Sequence, residues 1–172
     1  QLHAVSGGVS ELHSDAALSL HNCNPAVPLL IGIIQTNVFA IGDTDSADAG
    51  LYELGSRFNH SCAPNVNHRW SEALEKETFH AGRDMPAGGE LKVFYTLLLA
   101  SRDARRAELG RKYRFECSCE TCALPPAAVA ASDARRLCIA ATIDIIPQLG
   151  QSPLRAILKI QQALKDLATE RI

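Results

Sequence analysis

A set of cysteines at uneven spacing constrains this chain more than any other feature. Cys117-Ser118-Cys119-Glu120-Thr121-Cys122 crowds three cysteines into six residues. A fourth, Cys62, stands far upstream in the polar run Arg57-Phe58-Asn59-His60-Ser61-Cys62-Ala63-Pro64-Asn65. Three thiolates in a small loop lack one ligand for a tetrahedral zinc site, and Cys62 could supply it. Two distant segments would then be tied together, and a pocket is expected where they meet. Zn–S bonds of about 2.3 Å put ligand sulfurs about 3.8 Å apart. That spacing brings Asn59 and His60 close to Phe115. The competing reading leaves the thiols reduced and unmetallated. A DNA-reading finger is not expected: the spacing is tighter than paired Cys-x-x-Cys knuckles, and neither His68 nor His80 has a partner at finger spacing.

The 172 residues are 47% apolar, enough for one ordinary core, or for one core with a helical appendage. A net charge of -2 argues against general nucleic-acid binding. The basic stretch 102–114, with Arg102, Arg105, Arg106, Arg111, Lys112 and Arg114, reads as a solvated helix face rather than a nucleic-acid patch. No stretch approaches the roughly 18 apolar residues of a membrane span. Six cysteines with no visible signal peptide suggest a reduced, intracellular protein. Cys23 and Cys138 stand alone and read as small buried hydrophobes.

Weak helical spacing over 10–22 is followed by a break at Asn24, Pro25 and Pro28. Strands are predicted over 29–34, 37–41, 65–70, 76–81 and 91–95. Residues 42–50 and 83–89 read as loops. A helix is predicted from Leu97 or Ser101 to Lys112, then the cysteine loop, then a stop at Pro125-Pro126. Two amphipathic helices complete the pattern as a hairpin packing on the β core, with scaffolding as their preferred role. Ser132 could cap the first, with Leu137, Ala141 and Ile145 on one face. Ser152-Pro153 starts the second, with Ile157, Ile160, Leu164 and Leu167 as its stripe.

Several of these motifs together resemble a known family. The run from Arg57 to Asn65 is similar to the third signature of SET-domain protein methyltransferases. Ala87-Gly88-Gly89-Glu90-Leu91-Lys92-Val93-Phe94-Tyr95 resembles the fourth, which ends in the active-site tyrosine. Phe115-Glu116-Cys117-Ser118-Cys119-Glu120-Thr121-Cys122 resembles the post-SET zinc knuckle. The short last spacing and helical tail most resemble the SET-and-MYND branch and its fungal relatives, as does Gln35-Thr36-Asn37-Val38-Phe39. The likeness spans roughly residues 29 to 124, with the motifs in family order.

The resemblance implies a mixed β+α chain: a SET-type β-clip core of short strands, a post-SET zinc knuckle and a C-terminal helical hairpin. It divides the chain into a partial SET domain (1–100), a linking helix with the zinc knuckle (101–124) and a helical region (125–172). It also implies methyl transfer from S-adenosylmethionine to a lysine amine of a protein substrate. Tyr95 would orient the amine and the methyl, with weak C–H···O contacts helping. Asn59 and His60 would hold the cofactor through a side-chain amide and backbone contacts, and Phe115 would stack on the adenine. Cys62, Cys117, Cys119 and Cys122 would bind Zn2+. Without the resemblance, Tyr95 and Phe115 read as core packing, His60 as structural, and Asn59 equally well as a turn residue.

Two departures stand out. The fourth signature usually reads Gly-Glu-Glu-Leu, whereas here it is Gly88-Gly89-Glu90-Leu91, and a glycine there loosens the backbone. SET domains also begin with a strand and a glycine-rich turn, but Gly7-Gly8 has no strand before it. The chain, beginning at Gln1, is therefore expected to enter the fold partway, as a fragment or a truncation. The alternative function is a catalytically inactive, zinc-stabilised interaction module derived from the SET fold.

Overall fold

The computed structural model describes residues 26–42, 48–150 and 152–172. The predicted helix over 10–22, the Gly7-Gly8 segment and Cys23 lie outside them. The chain divides into two compact units: Gln1–Phe58 with Asn67–Ala81, and Asn59–Val66 with Gly82–Ile172.

Among the described residues, the first unit begins with α1 (Ala26–Asn37), where a buried strand is predicted at 29–34. A short apolar run cannot be told from a helical segment by periodicity alone. Pro28 falls in the first turn, where a missing N–H costs nothing, and Leu29, Leu30 and Ile33 are exposed. The chain then enters β1 (Val38–Ala40), which pairs antiparallel with β2 (Ala49–Leu51), Phe39 opposite Gly50. The loop expected over 42–50 therefore gives way to strand at its end. Gly50 is required by contact: a Cβ there would lie 2.6 Å from the Tyr52 hydroxyl oxygen. β4 (Val66–Ser71) and β5 (Lys76–Ala81) form a hairpin on the predicted residues. Within this unit Phe39 meets Phe79 and His68 edge-on, at 5.6 and 4.9 Å between ring centroids. His68 Nδ1 pairs with the buried Glu77 carboxylate at 2.9 Å.

The second unit carries all five cysteines among the described residues. β3 (Asn59–His60) pairs parallel with β6 (Lys92–Val93), a much shorter strand than predicted. Between them in sequence, Gly88 takes φ +80° in a tight turn closed by the Gly89 N–H on the Pro86 carbonyl at 3.0 Å. That conformation belongs to glycine at the third position of a type II turn. A Cβ at Gly89 would approach the Pro86 carbonyl oxygen to 3.0 Å, so the second glycine fits the tightness of this turn.

α2 (Arg102–Tyr113) starts where predicted: the Ser101 hydroxyl accepts from the Ala104 N–H at 3.3 Å. α3 (Pro126–Ile145) and α4 (Pro153–Glu170) pack together as the expected hairpin. Pro125-Pro126 opens α3 as well as ending the loop, since proline suits the first helical position. Ser152 precedes α4 but makes no side-chain cap bond.

The buried face of α3 corrects the sequence reading. Ser132 lies inside the helix rather than at its cap, and Leu137 and Ala141 face outward. The face turned inward is Val129, Ser132, Arg136, Ile139 and Thr142. Cys138 is exposed rather than buried. In α4, Ile157 and Leu164 of the predicted stripe are exposed, while Ile160 and Leu167 are partly covered. Among the described residues, no helix is long and apolar enough to cross a membrane.

Candidate functional site

The four sulfurs of Cys62, Cys117, Cys119 and Cys122 lie within 4.8 Å of one another, and Cys62 and Cys122 are 3.6 Å apart. Leu109 of α2 is fully buried against them. The spacing and the all-thiolate donor set fit a tetrahedral Zn2+ centre. Hydrogen bonding among the sulfurs, led by Cys117, pushes the Cys62 thiol up. The Cys117 thiol is also raised, while Cys119 is driven down and Cys122 falls to about 6. A divalent cation bound here would take the place of the thiol protons.

A metal bound by four thiolates carries net negative charge, and three guanidinium groups surround this cluster. Arg105, 1% exposed, donates from Nε to Cys62 Sγ at 3.2 Å. Burial opposes its charge, but Cys62 and Cys122 outweigh that cost and strengthen its hold on the proton. Arg106 donates to the carbonyls of Cys117 (3.0 Å) and Cys122 (3.4 Å), and pairs with Glu116 at 2.8 Å. Arg136, fully buried, donates to the Cys62 carbonyl at 3.0 Å. The basic stretch was predicted to be a solvated face. That holds for the exposed Arg111, Lys112 and Arg114, and fails for Arg105 and Arg106 because a polar cluster lies beneath them.

His60 connects the cysteine cluster to the candidate tyrosine. The backbone N–H of Tyr95 can only donate, so His60 Nδ1 accepts it, at 3.1 Å. The ring proton then resides on Nε2, which faces Cys62 Sγ at 3.3 Å. Burial holds the imidazole neutral, with a pKa down to about 4; Arg105 adds to this and Cys119 opposes it. Both ring nitrogens are thus engaged by the protein. Beside His60 stand the rings of Tyr95 at 5.4 Å and Phe115 at 6.2 Å, and Tyr95 lies 4.8 Å from Tyr113. Burial raises the Tyr95 phenol above its ordinary pKa, with Tyr113 adding to the rise, so it stays protonated at neutral pH.

The run from Asn59 to Asn65 is stitched to the segment before Tyr95. Asn59 Nδ2 donates to Glu90 Oε1 at 2.7 Å, which leaves its amide oxygen and its second amide N–H for a ligand. Asn65 donates to the Glu90 carbonyl and accepts from the Lys92 N–H, at 2.8 and 2.7 Å. Phe115 is partly exposed and borders an open cavity of about 500 Å³, shared with Arg106, Gly110 and Arg114. The depression is shallow, and Asn59, His60 and Tyr95 do not line it.

The residues singled out in the sequence therefore lie in one unit: Asn59, His60, Tyr95, Phe115 and the four cysteines. Sequence reasoning missed Arg105, Arg106, Arg136, Glu170 and Tyr113. For Tyr113 a signal existed, an aromatic two residues before Phe115. The arginines gave none that separates them from surface charge.

The SET domain family model matches residues 11–96, and the chain belongs to the SET-domain family. Over 106 residues it is 36% identical to histone-lysine N-methyltransferase set5 of Schizosaccharomyces pombe, covering 61% of this chain and 32% of that protein. It is 32% identical over 97 residues to SET domain-containing protein SmydA-8, isoform A, of Drosophila melanogaster, covering 54% and 21%. A third relative is N-lysine methyltransferase SMYD2-B of Xenopus laevis, 29% identical over 121 residues, covering 69% and 28%. The chain thus spans about a third or less of the length of these curated relatives.

Proposed function

We propose that this chain is the SET portion of a protein-lysine N-methyltransferase that uses S-adenosylmethionine and acts on a lysine side chain of a protein substrate. Bound S-adenosylmethionine supplies a methyl group already activated on a sulfonium. The site's work is then alignment of the reactants and exclusion of water. Phe115 offers a plane for the adenine, and Asn59 contributes its amide oxygen with the backbone of β3. His60, its ring engaged by Tyr95 and Cys62, serves through backbone contacts and by setting where Tyr95 begins. The Tyr95 phenol, held neutral, orients the incoming amine and the methyl. It does not act as the base, so the amine arrives already deprotonated. Tyr113, stacked beside Tyr95, forms a second aromatic wall suited to a methylated ammonium.

In this reading Cys62, Cys117, Cys119 and Cys122 hold one Zn2+, with 115–124 as a post-SET knuckle closing on a β-clip core. Residues 1–100 form the SET portion, 101–124 the linking helix with the knuckle, and 125–172 the helical region. The observation that carries the proposal is the cluster of His60, Tyr95, Tyr113 and Phe115 rings above the thiolates, in a chain of the SET family. Calorimetric titration with S-adenosylmethionine and labelled-methyl transfer to protein substrates test it. Tyr95→Phe is expected to keep cofactor binding and lose at least about 90% of transfer, the scale set by removing one transition-state contact. Absence of both binding and transfer in the unmodified chain would overturn it in favour of a zinc-stabilised interaction module.

A further inference from the structure

Arg136 occupies an unusual position for a cation. It is fully buried on α3, and its guanidinium reaches three places at once. Nη2 donates to the Cys62 carbonyl at 3.0 Å and Nη1 to the Leu98 carbonyl at 2.6 Å. Nε donates to Glu170 Oε2 at 2.8 Å, at the last residue of α4. Ser132 donates to the same carboxylate oxygen, and Arg135 pairs with the other at 2.6 Å. Glu170 is itself 5% exposed, so the ion pair is sealed from water.

The two carbonyls define what this pair does. Cys62 lies two residues after His60, and Leu98 three residues after Tyr95. One rigid, planar fork therefore grips both segments just beyond the His60–Tyr95 hydrogen bond. The β3–β6 ladder behind that bond is only two residues long on each side. The Ser61 N–H on the Val93 carbonyl (2.9 Å) and the Asn59 and Asn65 contacts extend it, and all of these act on residues before Tyr95.

We infer that Arg136, aligned by Glu170, is a positioning residue: it sets the separation of the Cys62 loop from the segment after Tyr95, and with it the placement of the Tyr95 phenol. The inference rests on the methyltransferase reading for its catalytic consequence, but not for its geometric one. Stability alone is a poor explanation of the pair. Exchanging a buried ion pair for apolar residues of similar volume is often neutral or stabilising, whereas no apolar side chain can hold two carbonyls. It also assigns the C-terminal helices a task, since Glu170 closes α4 and Arg136 lies mid-α3.

The test uses the full chain carrying Arg136→Met together with Glu170→Leu, compared with the unmodified chain in zinc content, Tyr95 amide exchange and methyl-transfer kinetics. Zinc content is expected to stay the same. The Tyr95 N–H, which donates to His60, is expected to exchange at least about tenfold faster. Labelled-methyl transfer should fall about ten- to a hundredfold in kcat with KM for S-adenosylmethionine unchanged, the cost of a small misplacement. Unchanged exchange and unchanged kcat would overturn the inference and leave Arg136 as packing. If the unmodified chain neither binds S-adenosylmethionine nor transfers methyl, the functional proposal falls, and the Tyr95 exchange rate still decides the positioning inference. Should the double variant not fold, Arg136→Lys takes its place. Its single ammonium keeps the Glu170 pair without the fork, and it is expected to show the same Tyr95 change in weaker form.

Discussion

His60 shows how much one side chain can settle. A buried, neutral imidazole with an acceptor on one nitrogen and a donor on the other has a single way to satisfy both: the Tyr95 N–H on one side and a cysteine sulfur on the other. Cys62 is the residue that makes this arrangement possible, because it belongs to the cysteine cluster and to the His60 loop. Metal analysis is expected to find about one zinc per chain, the stoichiometry of a single four-thiolate site. Cys62→Ser is expected to release it and to unfold the loop around Cys117, as lost ligation does in small zinc-dependent segments. Zinc retained at full stoichiometry by Cys62→Ser would show that Cys62 is no ligand. The thiol cluster was legible in sequence because its spacing admits few alternatives. The ring tautomer of His60 was not, since it depends on a backbone N–H that only the fold brings near.

At the scale of elements, α2 follows its sequence signals closely. Ser101 caps it, Asp103 lies in the first turn, Arg111 and Lys112 lie in the last, and each suits the helix dipole. Ser101→Ala is expected to lower the stability of the folded chain by about 1 kcal/mol, read from denaturant unfolding with an unchanged slope. A shift no larger than the error of that measurement would show the cap to be idle. The failures are equally physical. α1 was read as a strand from an apolar run that carries no period. α3 was assigned the wrong inner face because leucine outranks arginine in any hydrophobicity pattern. The inward face takes Arg136 beside Val129 and Ile139 because Glu170 and two carbonyls meet its guanidinium there, and none of the three is close to it in sequence.

For the molecule as a whole, the Glu170 network makes stability depend on pH. Burial alone would raise the Glu170 carboxyl. Ser132, Arg135 and Arg136 more than offset that, so its pKa in the folded chain lies below the ordinary value. A depressed carboxyl contributes stability that is present above the unfolded pKa of about 4.3 and is lost as pH falls through the folded value. At pH 7, Glu170→Gln is therefore expected to cost about 3–5 kcal/mol, because it leaves Arg136 buried without its partner. The gap between the two proteins should close as pH drops below the carboxylate range, where the native residue becomes as neutral as glutamine. Thermal midpoints measured across pH 3–8 check this, and a gap independent of pH would remove the carboxylate's charge from the explanation.

The sequence by itself determined the four clustered cysteines, the motif order that places Asn59, His60, Tyr95 and Phe115 in a SET chain, the β4–β5 hairpin and the start of α2. Each is a local pattern whose spacing reflects the chemistry directly. Only the tertiary structure decided which cations are structural. Arg105, Arg106 and Arg136 are chemically identical to the exposed Arg111 and Arg114, and what separates them is the sulfurs, carbonyls and carboxylate the fold brings within 3–4 Å. A long-range electrostatic environment leaves no period in the chain that makes it.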